Sequence, residues 1–141
     1  MPGRRLVTLA AAASVSLAGC GSSGADPVPT PPETTSGPVT PALAEEVVLG
    51  LCQLGRDAER GDRGAAEATF LDRSHDGLHA IAGALEAVDR AAAGDVLGSK
   101  QAVEQAFADG ELPTLEQVAT LLSATRRGLA LLELPVPPCS V

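Results

Sequence analysis

With 141 residues and a formal net charge of −8, the chain has room for one folded domain and has no basic excess with which to bind nucleic acid. Two phenylalanines are the only aromatic residues, and alanine, leucine and valine make up most of the apolar residues. Because alanine and leucine favour helices, this composition predicts an all-α fold.

The N-terminal residues have the pattern of an export signal. Arg4 and Arg5 precede an apolar run, Leu6 to Leu17, that is followed by small side chains. This run is too short to cross a bilayer as a helix, which takes about 20 apolar residues. Residues 1–19 are therefore predicted to be a cleaved signal peptide.

The end of this signal carries a more specific motif. Leu17, Ala18, Gly19 and Cys20 resemble the lipobox of bacterial lipoproteins in both residue type and order. The resemblance implies cleavage between Gly19 and Cys20, and a diacylglyceryl group with fatty chains such as palmitate on the Cys20 sulfur. Such a protein is anchored to the cell membrane on its extracytoplasmic face, because two acyl chains give stable membrane attachment whereas a single chain binds only marginally. The alternative is an ordinary signal peptide with a cysteine at its cleavage site.

Residues 20–40 are predicted to link the lipidated N-terminus to the folded domain. They are rich in proline, serine and threonine and show no apolar periodicity. Pro29, Pro31 and Pro32 exclude a regular helix, and the segment has too little apolar surface to fold. We therefore expect a disordered tether, followed by a domain over residues 41–141.

Two cysteines remain once Cys20 is assigned to the lipid. An even number of remaining cysteines in an exported domain indicates a disulfide, here between Cys52 and Cys139. This bond would tie the proline-rich C-terminal tail to the first helix. Two unpaired thiols, or a thiol metal site that includes a histidine, are the alternatives.

Four helical segments are predicted from apolar residues spaced three and four apart. The first begins after Thr40 and the last at a capping box that starts with Thr114, while Gly77 predicts a kink in the second. Short connections make neighbouring helices antiparallel, so we expect a small antiparallel bundle. The predicted ranges are 41–60, 62–94, 95–108 and a last segment from residue 114.

Both histidines lie on the second segment. Asp72, His75 and His79 fall on one helical face, where imidazoles four residues apart reach a single ion and the aspartate supplies a third ligand. This pattern predicts a site for a divalent metal such as zinc or copper. Glu104 would approach the same site if the third helix packs there.

A simpler interpretation needs no metal. In it His75 bonds Asp72 and His79 bonds Asp76, at the edge of the core. Arg126 and Arg127 on the last helix are expected to form surface pairs.

The function predicted from the sequence rests on these observations. No nucleophile arrangement or phosphate-binding loop is visible, so the leading hypothesis is a non-enzymatic, membrane-anchored interaction or accessory module with an envelope protein as partner. The alternative is a metal-binding lipoprotein. The stretch from His75 to Glu104 resembles small exported proteins of high-GC Gram-positive bacteria, and this resemblance implies no activity.

Overall fold

The structure is a computed structural model, and it describes residues 37–139. The predicted signal peptide, the lipobox-like motif and the predicted tether as far as residue 36 lie outside the described residues, as do residues 140–141. Every regular element within residues 37–139 is helical. The prediction of a small all-α bundle is confirmed.

Five α-helices and one π-helical turn form the bundle. The π turn, Leu71–His75, joins α2 to α3 without a break, so residues 37–139 contain four long helical segments. Helix α1 packs against α2, α3 and α5, and α4 packs against α3 and α5. The helices are α1 (Pro41–Glu59), α2 (Arg63–Phe70), α3 (Asp76–Leu85), α4 (Arg90–Ala108) and α5 (Leu115–Leu131).

The helix starts are set by side chains that cap free backbone amides. Thr40 accepts a hydrogen bond from the amide of Leu43, and Asp62 caps α2 in the same way. At α5, Thr114 and Gln117 form the reciprocal capping box that the sequence predicts. Three of the four N-terminal boundaries are therefore readable from the sequence.

The predicted boundary between the second and third segments is wrong. The chain leaves α3 after Leu85, and Asp89 starts α4 by accepting a hydrogen bond from the amide of Ala92 at 3.0 Å. Three alanines follow Arg90, and because alanine suits any helix their periodicity does not mark a break. Val88, which falls within the predicted second segment, lies in this connection and is 58% exposed.

Three helices end in the same backbone motif. Gly61 after α1 and Gly110 after α4 have left-handed backbone angles, with φ of 70° and 80°. After α5 the equivalent residue is Glu133, with φ of 56°, and the amide of Leu134 bonds the Leu129 carbonyl at 2.9 Å. This Schellman arrangement turns the chain sharply at each helix end.

The core is built from leucine, valine and alanine. Phe70 and Phe107 are its two aromatic side chains, and their ring centroids lie 5.9 Å apart. The largest side chains that are fully buried include Leu51, Leu54, Leu78, Ile81, Leu85, Leu121 and Leu129.

Two glycines let α1 approach the helix opposite closely. A Cβ atom at Gly77 would overlap a methyl group of Val47, and one at Gly50 would overlap the hydroxyl of Ser74. The backbones therefore meet where side chains would otherwise separate them. Gly77 itself is helical, and the irregular turn ends just before it, at His75.

Candidate functional site

The π turn decides which side chains face α1 and which face solvent. A π turn inserts one residue into a helix and rotates the part of the helix beyond it, and such turns are frequent at functional sites. Ser74 is buried here and donates to the Val47 carbonyl at 3.4 Å. The apolar side chain of Leu71, at the start of the turn, is 53% exposed. The single helical face predicted from an ideal period is thus interrupted.

His75 lies between two carboxylates. Its Nδ1 is 2.9 Å from Oδ1 of Asp76, and its Nε2 is 2.9 Å from Oε1 of Glu104 on α4. Both ring nitrogens therefore lie within hydrogen-bond distance of a carboxylate. The ring also packs edge-on against Phe70, at 5.9 Å between centroids. His75 therefore connects the end of the π turn to α4.

Glu104 also binds the single lysine of the chain. Lys100 is buried, with 3% of its side chain exposed, and its Nζ donates to Oε1 of Glu104 at 2.6 Å. Burial raises the pKa of Glu104, but the hydrogen bond and charge of Lys100, and then those of His75, outweigh burial. The pKa consequently lies below its ordinary value of 4.5.

The other two ionisable groups lie at the rim of this cluster. The hydrogen bond and charge of His75 lower the pKa of Asp76 below 3.8. The His79 ring is centred 5.1 Å from that of His75. Burial, followed by the charges of Lys100 and His75, lowers the pKa of His79 below 6.5, so His79 is neutral at neutral pH.

A groove of about 630 Å³ opens beside His79. Apolar side chains of the segment before α1 and of α1 itself form one side, and α3 forms the other. Its lining residues are Gly37, Pro38, Leu43, Asp76, Gly77, His79 and Ala80. The groove joins apolar surface to one exposed carboxylate and one neutral imidazole.

The structure brings together most, but not all, of the site predicted from the sequence. His75, His79 and Glu104 meet, since the helix that carries Glu104 does pack against the histidine-bearing segment. Asp72 is exposed, and the partners of His75 are Asp76 and Glu104 instead. Over residues 37–139, no group of three or more histidine, cysteine or acidic side chains is arranged to hold a metal ion.

Lys100 is the member of the cluster that sequence reasoning missed. The spacing of Lys100 and Glu104 is that of an ordinary exposed ion pair on a helix. What could have singled it out is that it is the only lysine in a chain whose other basic side chains, the histidines apart, are arginines. Its burial depends on how α4 packs against α3, which spacing alone does not indicate.

The two cysteines predicted to pair do lie together. Cys52 is fully buried on α1, and its Cα is 6.3 Å from that of Cys139, 87 residues later. Disulfides usually have Cα separations of 4.4–6.8 Å, so the pair is at disulfide distance. The predicted proximity of the tail to the first helix is confirmed.

The expectation of a surface pair at Arg126 is wrong, whereas at Arg127 it is right. Arg127 binds Asp95 at 3.1 Å on the surface. The half-buried guanidinium of Arg126 instead donates to the carbonyls of Pro137, at 3.3 Å, and of Cys139. An arginine is suited to this contact because its several N–H groups bind more than one carbonyl.

Comparison with known proteins identifies no relative of this chain. No protein-family model matches the chain, and neither the curated proteins nor the solved structures contain a significant match to it. Among residues 37–139, none of the helices combines the length and apolar character that crossing a bilayer requires.

Proposed function

We propose that the protein is a lipid-anchored lipoprotein on the extracytoplasmic face of the cell membrane, and that its helical domain is a non-enzymatic interaction module for an envelope protein. The observation that carries this proposal is the pairing of Cys52 with Cys139. Disulfides persist in oxidising compartments outside the cytoplasm and are rare within it. The pair therefore supports export, which the N-terminal signal predicts independently.

The lipid anchor is the second part of the proposal. Cys20 is the only cysteine that the pair Cys52–Cys139 leaves over, and it stands at the lipobox position. A thioether-linked diacylglyceryl group would use this sulfur, and two acyl chains suffice for stable attachment. Each of the three cysteines then has a role, one in the lipid anchor and two in the disulfide.

The polar cluster supports a binding role more than a catalytic one. Both ring nitrogens of His75 are hydrogen-bonded, and Glu104 accepts from His75 and Lys100 together. Groups paired in this way hold the end of the π turn to α4, and they are not available as a general base while they stay paired. The adjacent groove, which includes Pro38 and His79, is where we place the contact with a partner.

Metabolic labelling with palmitate tests the anchor. The parent and a Cys52→Ser/Cys139→Ser variant are both expected to take up label, whereas Cys20→Ser is expected to lose it and to leave the membrane fraction. Label retained by Cys20→Ser would contradict lipidation at this residue. Equal loss in the double variant would show that misfolding, and not the anchor, governs labelling.

Site-specific photo-crosslinking tests the interaction surface. A photoreactive amino acid replaces exposed Pro38 in the groove, and the matched control carries it at Ser123, which is exposed on α5. In intact cells we expect one discrete envelope adduct from position 38 and none from position 123. The same adducts from both positions, or from neither, would contradict a partner at this groove.

The alternative function is a divalent-metal-binding lipoprotein, favoured by the 5.1 Å separation of the His75 and His79 rings. Against it, the ammonium of Lys100 already supplies the positive charge that faces Glu104. Titration of the mature chain with Zn²⁺ and Cu²⁺ decides between the two functions. We expect equally weak binding by the parent and a His75→Ala/His79→Ala variant, and tight binding lost in the variant would establish the alternative.

A further inference from the structure

The residues after α5 form a short strap across two helices. We call residues Glu133–Cys139 the strap. It begins where the left-handed Glu133 reverses the chain, and it ends at Cys139, beside α1. Arg126 of α5 binds it from one side and Cys52 of α1 from the other. The strap therefore spans the seam between α1 and α5, two helices that also pack directly against each other.

Few contacts hold the strap in place. Its three prolines, Pro135, Pro137 and Pro138, have no amide hydrogen to donate. Among the described residues, no backbone amide of residues 135–139 bonds a backbone carbonyl. Four of the seven strap residues are exposed, and Leu134 is only partly buried against the core.

The remaining anchors are concentrated at one end of the strap. Arg126 donates to the carbonyls of Pro137 and Cys139, and it lies 3.5 Å from the Cys139 sulfur. That sulfur also lies 3.8 Å from the carbonyl of Val48 on α1. Val48 and Cys52 beneath it are fully buried. One sulfur pair and one arginine thus fix a segment that covers part of the α1 surface.

From this arrangement we infer that the strap is a redox-releasable cover: breaking the Cys52–Cys139 bond frees the strap and bares the Val48–Cys52 surface of α1 while the helices stay folded. The inference rests on the disulfide of the proposed function. Segments with few buried contacts open at much lower free energy than the bundle as a whole. The packing of α1 against α2, α3 and α5 does not pass through the strap.

The chemical step requires an external dithiol. One of its thiolates attacks the disulfide at the partly exposed Cys139 sulfur, which forms a mixed disulfide and releases the Cys52 thiolate. The second thiol of the reductant then displaces Cys139. Two electrons and two protons pass to the protein, which becomes a dithiol, while the reductant becomes a disulfide. Arg126 lies beside the Cys139 sulfur and would stabilise the thiolate form on release.

Alkylation of the full mature chain with a maleimide after reduction by dithiothreitol, followed by mass spectrometry, tests the inference. Once the strap is free, the Cys52 thiol, which is buried beneath it, is expected to be alkylated at a rate within about tenfold of that of the urea-unfolded chain. Far-UV circular dichroism of the reduced protein is expected to stay constant, because the helices remain folded. Alkylation of the unreduced protein, followed by intact mass, first establishes whether the disulfide is present.

Each outcome bears on a different claim. Two free thiols before reduction would show that the disulfide is absent. This result would overturn the inference and would also take away the main support for export. An intact disulfide whose Cys52 thiol stays unreactive after reduction would overturn the inference alone. So would loss of the helical circular dichroism signal on reduction, because the bond would then hold the whole fold together.

Two neighbouring arginines provide a matched test that leaves the cysteines in place. Arg126→Gln removes a strap anchor, whereas Arg127→Gln removes a surface pair with Asp95 that does not touch the strap. After reduction, we expect Cys52 to be alkylated several-fold faster in Arg126→Gln than in Arg127→Gln. Equal alkylation rates would contradict the role of Arg126 as the second anchor.

Discussion

Helix α1 is held to the rest of the molecule in two different ways. Towards its N-terminus it packs against the π turn and α3, where Gly50 and Gly77 let the backbones approach within the space of a missing side chain. At Cys52 it is joined to the strap by a sulfur pair, with Arg126 as the only side-chain donor to the strap backbone among the described residues. The first contact depends on shape, and the second on a few discrete bonds.

This difference determines how each region is expected to fail. Close packing tolerates almost no added volume, because neighbouring side chains have nowhere to move. A segment held by discrete bonds is released when those bonds break, without disturbing the packing of its neighbours. The glycine contacts are therefore expected wherever the chain is folded, whereas the attachment of the strap depends on whether the surroundings oxidise or reduce the sulfur pair.

Loss of the sulfur pair is expected to have the largest effect on global stability. Cys139→Ser opens a cross-link between residues 87 positions apart. In the chain-entropy model, such a loop contributes about 4–5 kcal/mol to the free energy of unfolding, less if the bond is strained. Urea denaturation of the oxidised parent and the variant measures the difference. The variant should not respond to reductant, and a variant as stable as the oxidised parent would contradict a covalent bond.

Adding one methyl group at the glycine contact is expected to have the next largest effect. Gly77→Ala places a Cβ against buried Val47, and we expect a loss of about 2 kcal/mol even though alanine favours the helix. Gly83→Ala is the matched control on the same helix, since nothing lies within 4 Å of its Cβ position. That change should stabilise by up to about 1 kcal/mol. Equal effects of the two changes on the urea midpoint would contradict close packing at Gly77.

The sequence predicts the parts of this comparison that depend on local chemistry. The caps at Thr40 and Thr114 and the proximity of Cys52 to Cys139 each have a short-range or compositional cause. The π turn has no such cause. It depends on the packing of α1 against Ser74, and the spacing of apolar residues around Leu71 does not indicate that contact.

In the candidate site, too, the features with a local cause could be predicted and those that depend on tertiary packing could not. The two histidines are recognisable from their spacing, and Glu104 from the condition that its helix packs nearby. The choice of Asp76 over Asp72 as the partner of His75 could not be predicted, because the inserted residue changes the rotation of the helix before His75. The burial of Lys100 depends on tertiary packing for the same reason.

Beside the glycine contact, loss of the Glu104 carboxylate and loss of the Lys100 ammonium are expected to change stability by different amounts. Glu104→Gln leaves the buried ammonium of Lys100 without its carboxylate, and we expect a loss of about 1–3 kcal/mol. Lys100→Met replaces the buried charge with an apolar chain of similar length, while His75 still binds Glu104. This change should stay within about 1 kcal/mol of the parent. Denaturant melts of both variants test this, and a larger loss in Lys100→Met than in Glu104→Gln would contradict it.

The smallest expected effect is a pH dependence at His79. Its pKa is lower in the folded protein, chiefly through burial and then through the charges of Lys100 and His75. The unfolded chain therefore binds more protons, so His79 makes the protein less stable as the pH falls through its ordinary value of 6.5. The lowered pKa of Glu104 acts in the same direction, but only once the pH falls below 4.5. The variant His79→Gln should thus match the parent at a pH of about 8 and lose less stability than the parent by a pH of about 5.5, and parallel pH profiles for the two proteins would contradict this coupling.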